Sequence, residues 1–169
     1  MKKIMKNLKK EQECIHTNPY KYPSKEDILE LLKIKPNSLK YEAFEESINI
    51  WRKARLKGSN NTQWNKLSIV SKSTYLIWLC KITLLRFPEI GEIEIKTGSV
   101  YMYLPHKKTI ILGEKPSIIS TLHELAHAIF KCDEKDAVYI SLSAFKQIWP
   151  ESFKKLTFKD KGHILIKNE

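Results

Sequence analysis

An α+β fold is predicted for this chain: a layer of N-terminal helices, a small three-stranded sheet, and two closing helices. Three observations predict it. Apolar residues recur at helical spacing as far as Pro88. The period drops to two over Glu92-Ile93-Glu94-Ile95-Lys96, the alternation of a half-buried strand. Beyond Gly113 and Pro116 the helical period returns. With 169 residues, 42% of them hydrophobic, the chain has the length of one domain and can bury an ordinary core without disulfide staples.

Residues 1–22 are polar and basic, with Pro19 breaking any pattern, and read as a loose arm. Ser24 is placed to cap a helix from Lys25 to about Lys33, with Glu26 and Asp27 in its first turn. After Pro36 and Asn37, a second helix fits Leu39 to Lys57, where Tyr41, Phe44, Ile48, Trp51 and Leu56 share a face and Gly58 is the stop. Asn60, Asn61 and Thr62 make a loop and cap before one long helix from Gln63 to Phe87, ended by Pro88. These helices, residues 23–90, read as a packing layer without chemistry of its own. Residues 91–169 hold the remaining elements and are expected to form one compact unit with that layer. Strands are expected at Glu92–Lys96, Val100–Leu104 and Thr109–Leu112, with turns at Gly98 and at Pro105–Lys108. A helix should follow from about Pro116 to Lys131, with proline in its opening turn where the missing N–H is harmless. The last runs from Glu134 to Trp149 and stops at Pro150.

Composition narrows the setting. Cys14, Cys80 and Cys132 are widely spaced and odd in number, which favours a reducing cytoplasm. The basic start reaches no apolar stretch of the kind a secretory signal needs. Ile69 to Phe87 is interrupted by Lys72, Lys81 and Arg86, so it reads as a buried helix and no membrane partner is expected. The net charge of +11 raises nucleic acid as a partner, with Trp51, Arg52, Lys53 and Arg55 as a conceivable face. Against this, the chain has only three arginines, and phosphate and base readers favour the planar fork of arginine over lysine.

The chemistry lies in the segment TLHELAHAIF. His123 and His127 stand four residues apart, so a helix puts both imidazoles on one face, where two nitrogens reach a single ion. Glu124 beside them can accept a proton from a water that the metal activates. The surrounding Ile118, Ile119, Leu122, Leu125, Ala126, Ile129 and Phe130 are apolar, and buried polar groups in such a helix need partners, which a metal supplies. A catalytic zinc takes a third protein ligand. In the next helix Ala137, Val138, Ser141, Phe145 and Ile148 fall on one side, with Glu134 near its middle and Asp136 on the opposite flank. Asp133 and Asp136 suit the N-cap and N3 positions, whereas a glutamate aimed into an apolar face wants a cation opposite it. Glu134 is therefore favoured as third ligand, with Asp136 the alternative. Cys132 fits a free, half-buried thiol better than a ligand, and His106 a surface turn. His163 and Tyr139 are weaker candidates to assist catalysis, His163 by stabilising an oxyanion.

From Glu92 to Trp149 the chain resembles the catalytic core of the zincin metallopeptidases, in particular a minimal gluzincin-like form. His123, Glu124 and His127 match the HExxH motif, and Glu134 matches the acidic ligand by its place in the following helix. The resemblance implies a Zn2+-dependent peptidase acting on a peptide or protein substrate. It implies Glu124 as general base, and the tyrosine-rich strand near Val100 to Leu104 as a substrate edge. The very short link from His127 to the acidic residue departs from the family, and no further glycine and histidine follow as in metzincins. Two other readings stand beside it: a metal-stabilised binding protein without catalysis, and a basic nucleic-acid-associated protein whose motif is coincidental.

Overall fold

The computed structural model describes residues 24–58, 63–158 and 164–166. The predicted arm, the cap at Asn60 to Thr62, Cys14 and His163 lie outside the described residues. Helix α1 (Lys25–Leu31) starts at a capping box. The Ser24 hydroxyl accepts from the Asp27 N–H and the Asp27 carboxylate accepts from the Ser24 N–H, each at 3.1 Å. Helix α2 spans Leu39–Gly58. The single helix expected over residues 63–87 is instead divided. A 3₁₀ turn at Trp64–Lys66 precedes Ser68, which is extended and caps α3 (Ile69–Leu84) by accepting from the Ser71 N–H. A serine hydroxyl satisfies an orphan N–H better at a helix start than inside one, and this local bond outcompetes continuation. A second 3₁₀ turn, Pro88–Ile90, follows.

The sheet has the order β1-β3-β2, with β1 (Glu94–Gly98) parallel to β3 (Thr109–Gly113) and β2 (Met102–Leu104) antiparallel to it. β1 lies two residues later than the alternation suggested and includes Gly98, expected as a turn. The reason is close approach: a Cβ on Gly98 would come 2.7 Å from the Ile111 side chain. β2 is the short edge strand, and Pro105–Lys107 forms a 3₁₀ turn before β3. Helix α4 (Ile118–Phe130) begins at Ser117, whose hydroxyl accepts from the Ser120 N–H at 3.2 Å. Pro116 therefore precedes the helix and is not in its first turn. The Tyr101 hydroxyl accepts from the Ser117 N–H at 2.8 Å, pinning the start of α4 to the sheet. Helix α5 spans Glu134–Ile148. Three elements were not anticipated: Pro150 opens a short α6 (Pro150–Lys154), and β4 (Leu156–Phe158) pairs antiparallel with β5 (Ile164–Ile166).

Helix α4 is the centre of the molecule. It packs against α5 and α3 and against β2 and β3, and nine of its 13 residues are buried. Helix α2 packs against α3 and α5. Trp51 is fully buried, meets Trp149 at 6.3 Å between ring centroids, and donates its indole N–H to the Tyr75 carbonyl at 2.9 Å. Arg55 is also buried, with its guanidinium over the rings of Trp51, Trp64 and Tyr75. Two of the four residues weighed as a nucleic-acid face thus belong to the core. Among the described residues, no helix is long and apolar enough to cross a membrane.

Two stability outcomes are expected. Trp51→Ala should cost about 3–5 kcal/mol, since it leaves a cavity in the core and removes the indole bond to the Tyr75 carbonyl. Gly113→Ala should cost about 1–3 kcal/mol, because its Cβ would meet the Tyr101 ring at 2.7 Å. Urea denaturation monitored by tryptophan fluorescence checks both; an unchanged midpoint for Gly113→Ala would contradict the close packing of Tyr101 on β3.

Candidate metal centre

The link between α4 and α5 sets the geometry of the site. Lys131, at φ 52°, is the C-cap of α4, and its N–H donates to the His127 carbonyl at 3.0 Å. Asp133 is the N-cap of α5, accepting from the Asp136 N–H at 3.0 Å. Only Cys132 lies between the two caps. Glu134, the first residue of α5, therefore sits against the last turns of α4, where the histidines are. The short link that departs from the zincin pattern is the feature that brings the carboxylate in.

His123, His127 and Glu134 each offer a ligand atom, and these atoms lie within 4.8 Å of one another, so the group can hold a metal ion. The His123 Nε2 is 3.1 Å from Glu134 Oε2, the His127 Nε2 is 3.2 Å from Glu134 Oε1, and the two Nε2 atoms are 3.1 Å apart. Three donor atoms converge on one point, in a setting where His127 and Glu134 are buried and His123 nearly so. The His127 Nδ1–H donates to the Cys132 carbonyl at 3.0 Å. A carbonyl can only accept, so this bond fixes the tautomer and leaves the Nε2 lone pair facing the cluster.

Glu124 lies on the same helix and is 3% exposed. Its Oε2 has no hydrogen-bond partner among the described residues. Burial raises its pKa above the usual carboxylate range, against the charges of His123 and His127 and the Tyr103 backbone, which favour the ionised form. Burial also opposes the charged forms of His127 and Glu134, but their mutual interactions prevail. Hydrogen bonds to Cys132 and Glu134 push His127 up to about 10. Hydrogen bonds from His123 and His127 hold Glu134 well below the usual range. Without a metal, the cluster stores a proton.

Of the weighed third ligands, the structure brings Glu134 to the histidines and leaves Asp136 exposed on the far flank. The Cys132 thiol is 3.6 Å from the Ala126 carbonyl, and that residue meets the site through its backbone oxygen. His106 is exposed. Tyr139, considered as an assistant to catalysis, is committed elsewhere: its hydroxyl donates to the Ile34 carbonyl at 2.8 Å. A cleft of about 600 Å³ opens beside the cluster, lined by His127 and Glu134 together with Glu89, Ile90, Tyr103 and Pro105. The wall from Glu89 and Ile90 was not foreseen, since residues just past a helix-ending proline carry no sequence mark of facing a site.

A proton and a metal should compete here. His127 is raised from 6.5, so its contribution to metal-free stability is full below pH 6.5 and is lost as pH rises toward 10. Glu134 is lowered from 4.5, so its contribution is present above pH 4.5 and lost on further acidification. With chelator, the cluster should stabilise the fold most between pH 4.5 and 6.5. Added zinc should raise the melting temperature more at pH 8 than at pH 6 (about two units of pH), because imidazoles must shed protons to bind it. Thermal melts with chelator and with zinc across that range test this; a zinc effect independent of pH would contradict it. No family model, curated protein or solved structure matches this chain, so its functional reading rests on the chemistry of the site.

Proposed function

We propose that this protein is a zinc-dependent metallohydrolase, and within that class a peptidase, with Glu124 as the proton-transferring group. The observation that carries the reading is the pairing of the His123–His127–Glu134 donor set with a buried glutamate that keeps one oxygen unpartnered. A purely structural metal site has no use for that fourth group, and an unsatisfied buried polar atom costs about 1–3 kcal/mol.

His123, His127 and Glu134 would hold the ion. Two imidazoles and a carboxylate suit Zn2+, and three protein ligands is the number that catalytic zinc sites use, whereas structural sites close with four. When bound, the ion supplies a Lewis acid that polarises a carbonyl and acidifies water. The chain's own groups do the rest. Glu124 takes the proton of the attacking water on Oε2 and delivers it to the departing nitrogen. The Cys132 carbonyl keeps His127 oriented through Nδ1. Strand β2 pairs only with β3 among the described residues, leaving an edge along which an extended peptide can add. Tyr103 of that strand both lines the cleft and touches Glu124 through its backbone, which would bring a peptide laid on β2 close to the proton carrier.

Elemental analysis of protein purified without chelator should find about one zinc per chain, lost in His123→Ala. Glu124→Gln should keep the zinc and the melting temperature. Its cleavage of a mixed peptide library, followed by mass spectrometry, should fall about 10²–10⁴-fold. Hydrolysis undiminished in Glu124→Gln would remove the mechanism, and no zinc uptake by the wild-type chain would remove the site.

A further inference from the structure

We infer that Lys108 and Lys131 make the cleft selective for peptides with acidic side chains; the inference rests on the peptidase reading for the nature of the bound chain. Both lysines line the cleft. They come from separate places, Lys108 from the connection between β2 and β3 and Lys131 from the cap between α4 and α5. Both are exposed, and neither ammonium forms an ion pair or hydrogen bond among the described residues. The acidic residues of the same lining are already engaged. Glu134 is held by both imidazoles, Asp133 caps α5, and Glu89 is 3.7 Å from the Lys40 ammonium. Lys108 and Lys131 are the two cationic groups of the lining without an ion-pair partner among the described residues.

The backbone adds an independent observation. Lys108 and Lys131 are the two described non-glycine residues with positive φ, at 46° and 52°. Glycine or asparagine fills this left-handed region with less strain; here both positions carry lysine, and both border the cleft. The Lys108 ammonium lies close over Gly91, where even a Cβ would come within 3.2 Å of it. Lysine presents a compact point charge on a flexible stem, suited to a carboxylate whose position varies among substrates. A strand added to β2 would send alternate side chains to one face, so acidic residues spaced by two would share the same side of a bound chain.

The test is binding, measured apart from cleavage. A fluorescein-labelled decapeptide of alanine, threonine and valine carrying two glutamates would be titrated by anisotropy against the full chain and against Glu124→Gln. The same peptide with glutamine or lysine at those two positions, and oligothymidylate, serve as comparisons. The glutamate peptide should bind about tenfold tighter than the glutamine peptide, and less so as salt rises. Lys108→Gly with Lys131→Gly, which suits the left-handed backbone, should erase the difference. Lys108→Glu with Lys131→Glu should turn it in favour of the lysine peptide. Equal binding of the glutamate and glutamine peptides overturns the inference, as does oligothymidylate binding tighter with the same lysine dependence. Lysine-dependent binding of an acidic peptide that the wild-type chain never cuts would leave charge selection standing and remove the peptidase reading. Cleavage indifferent to substrate charge would do the reverse.

Discussion

Two imidazole nitrogens and a carboxylate cannot share a nearly dry point with every lone pair left bare. Something positive must sit among them, a proton or a metal ion, and much of this architecture follows from that requirement. The cluster of His123, His127 and Glu134 sits among mainly apolar neighbours, since most of the other buried residues of α4 and α5 are hydrophobic. A charge-balanced cluster can remain buried there, whereas removing one partner leaves an uncompensated charge in the core. The site is thus a structural element of the helix pair as well as a candidate metal centre.

The devices that hold the cluster are local and inexpensive in sequence. Asp133 caps α5, Lys131 closes α4 in the left-handed conformation, and the single residue between them lends its carbonyl to His127. Longer-range ties position the pair. Tyr101 fixes the start of α4 to the sheet, and the Phe130 ring meets Phe44 of α2 edge-on at 5.6 Å. The ligand helix is thereby fixed at both ends by groups outside it, the kind of support that keeps a site from loosening by the fraction of an ångström that matters for coordination.

Much of this was legible in the chain, and the exceptions have physical causes. The α+β layout and the borders of α2, α4 and α5 follow from period and caps, which are local signals. The clustering of Glu134 with the histidines followed from a satisfiability argument: Asp133 and Asp136 had cap roles, and Glu134 pointed into an apolar face with nothing to neutralise it. Where local signals competed, the outcome was not readable. Ser68 broke a helix that periodicity alone would continue, and Gly98 served close strand approach instead of a turn. Tyr139 could have faced the site or the opposite side, and its bond to a carbonyl 105 residues earlier is a tertiary fact. Lys108 and Lys131 carried no sign of their placement, since lysine is the commonplace surface residue here and its left-handed backbone has no sequence signature.

That bond of Tyr139 has a companion. The Lys146 ammonium donates to the Leu32 carbonyl at 2.9 Å, so α5 is tethered along its length to the chain just after α1. These anchoring carbonyls leave the ribosome about a hundred residues before α5 does, as the sequence separations of 105 and 114 require. Helix α1 has its own packing contacts with α5, so the two elements order each other. Closing the α4–α5 hairpin over Glu134 thus depends on contacts that span most of the chain, and the His123–His127–Glu134 cluster comes together only when those contacts do.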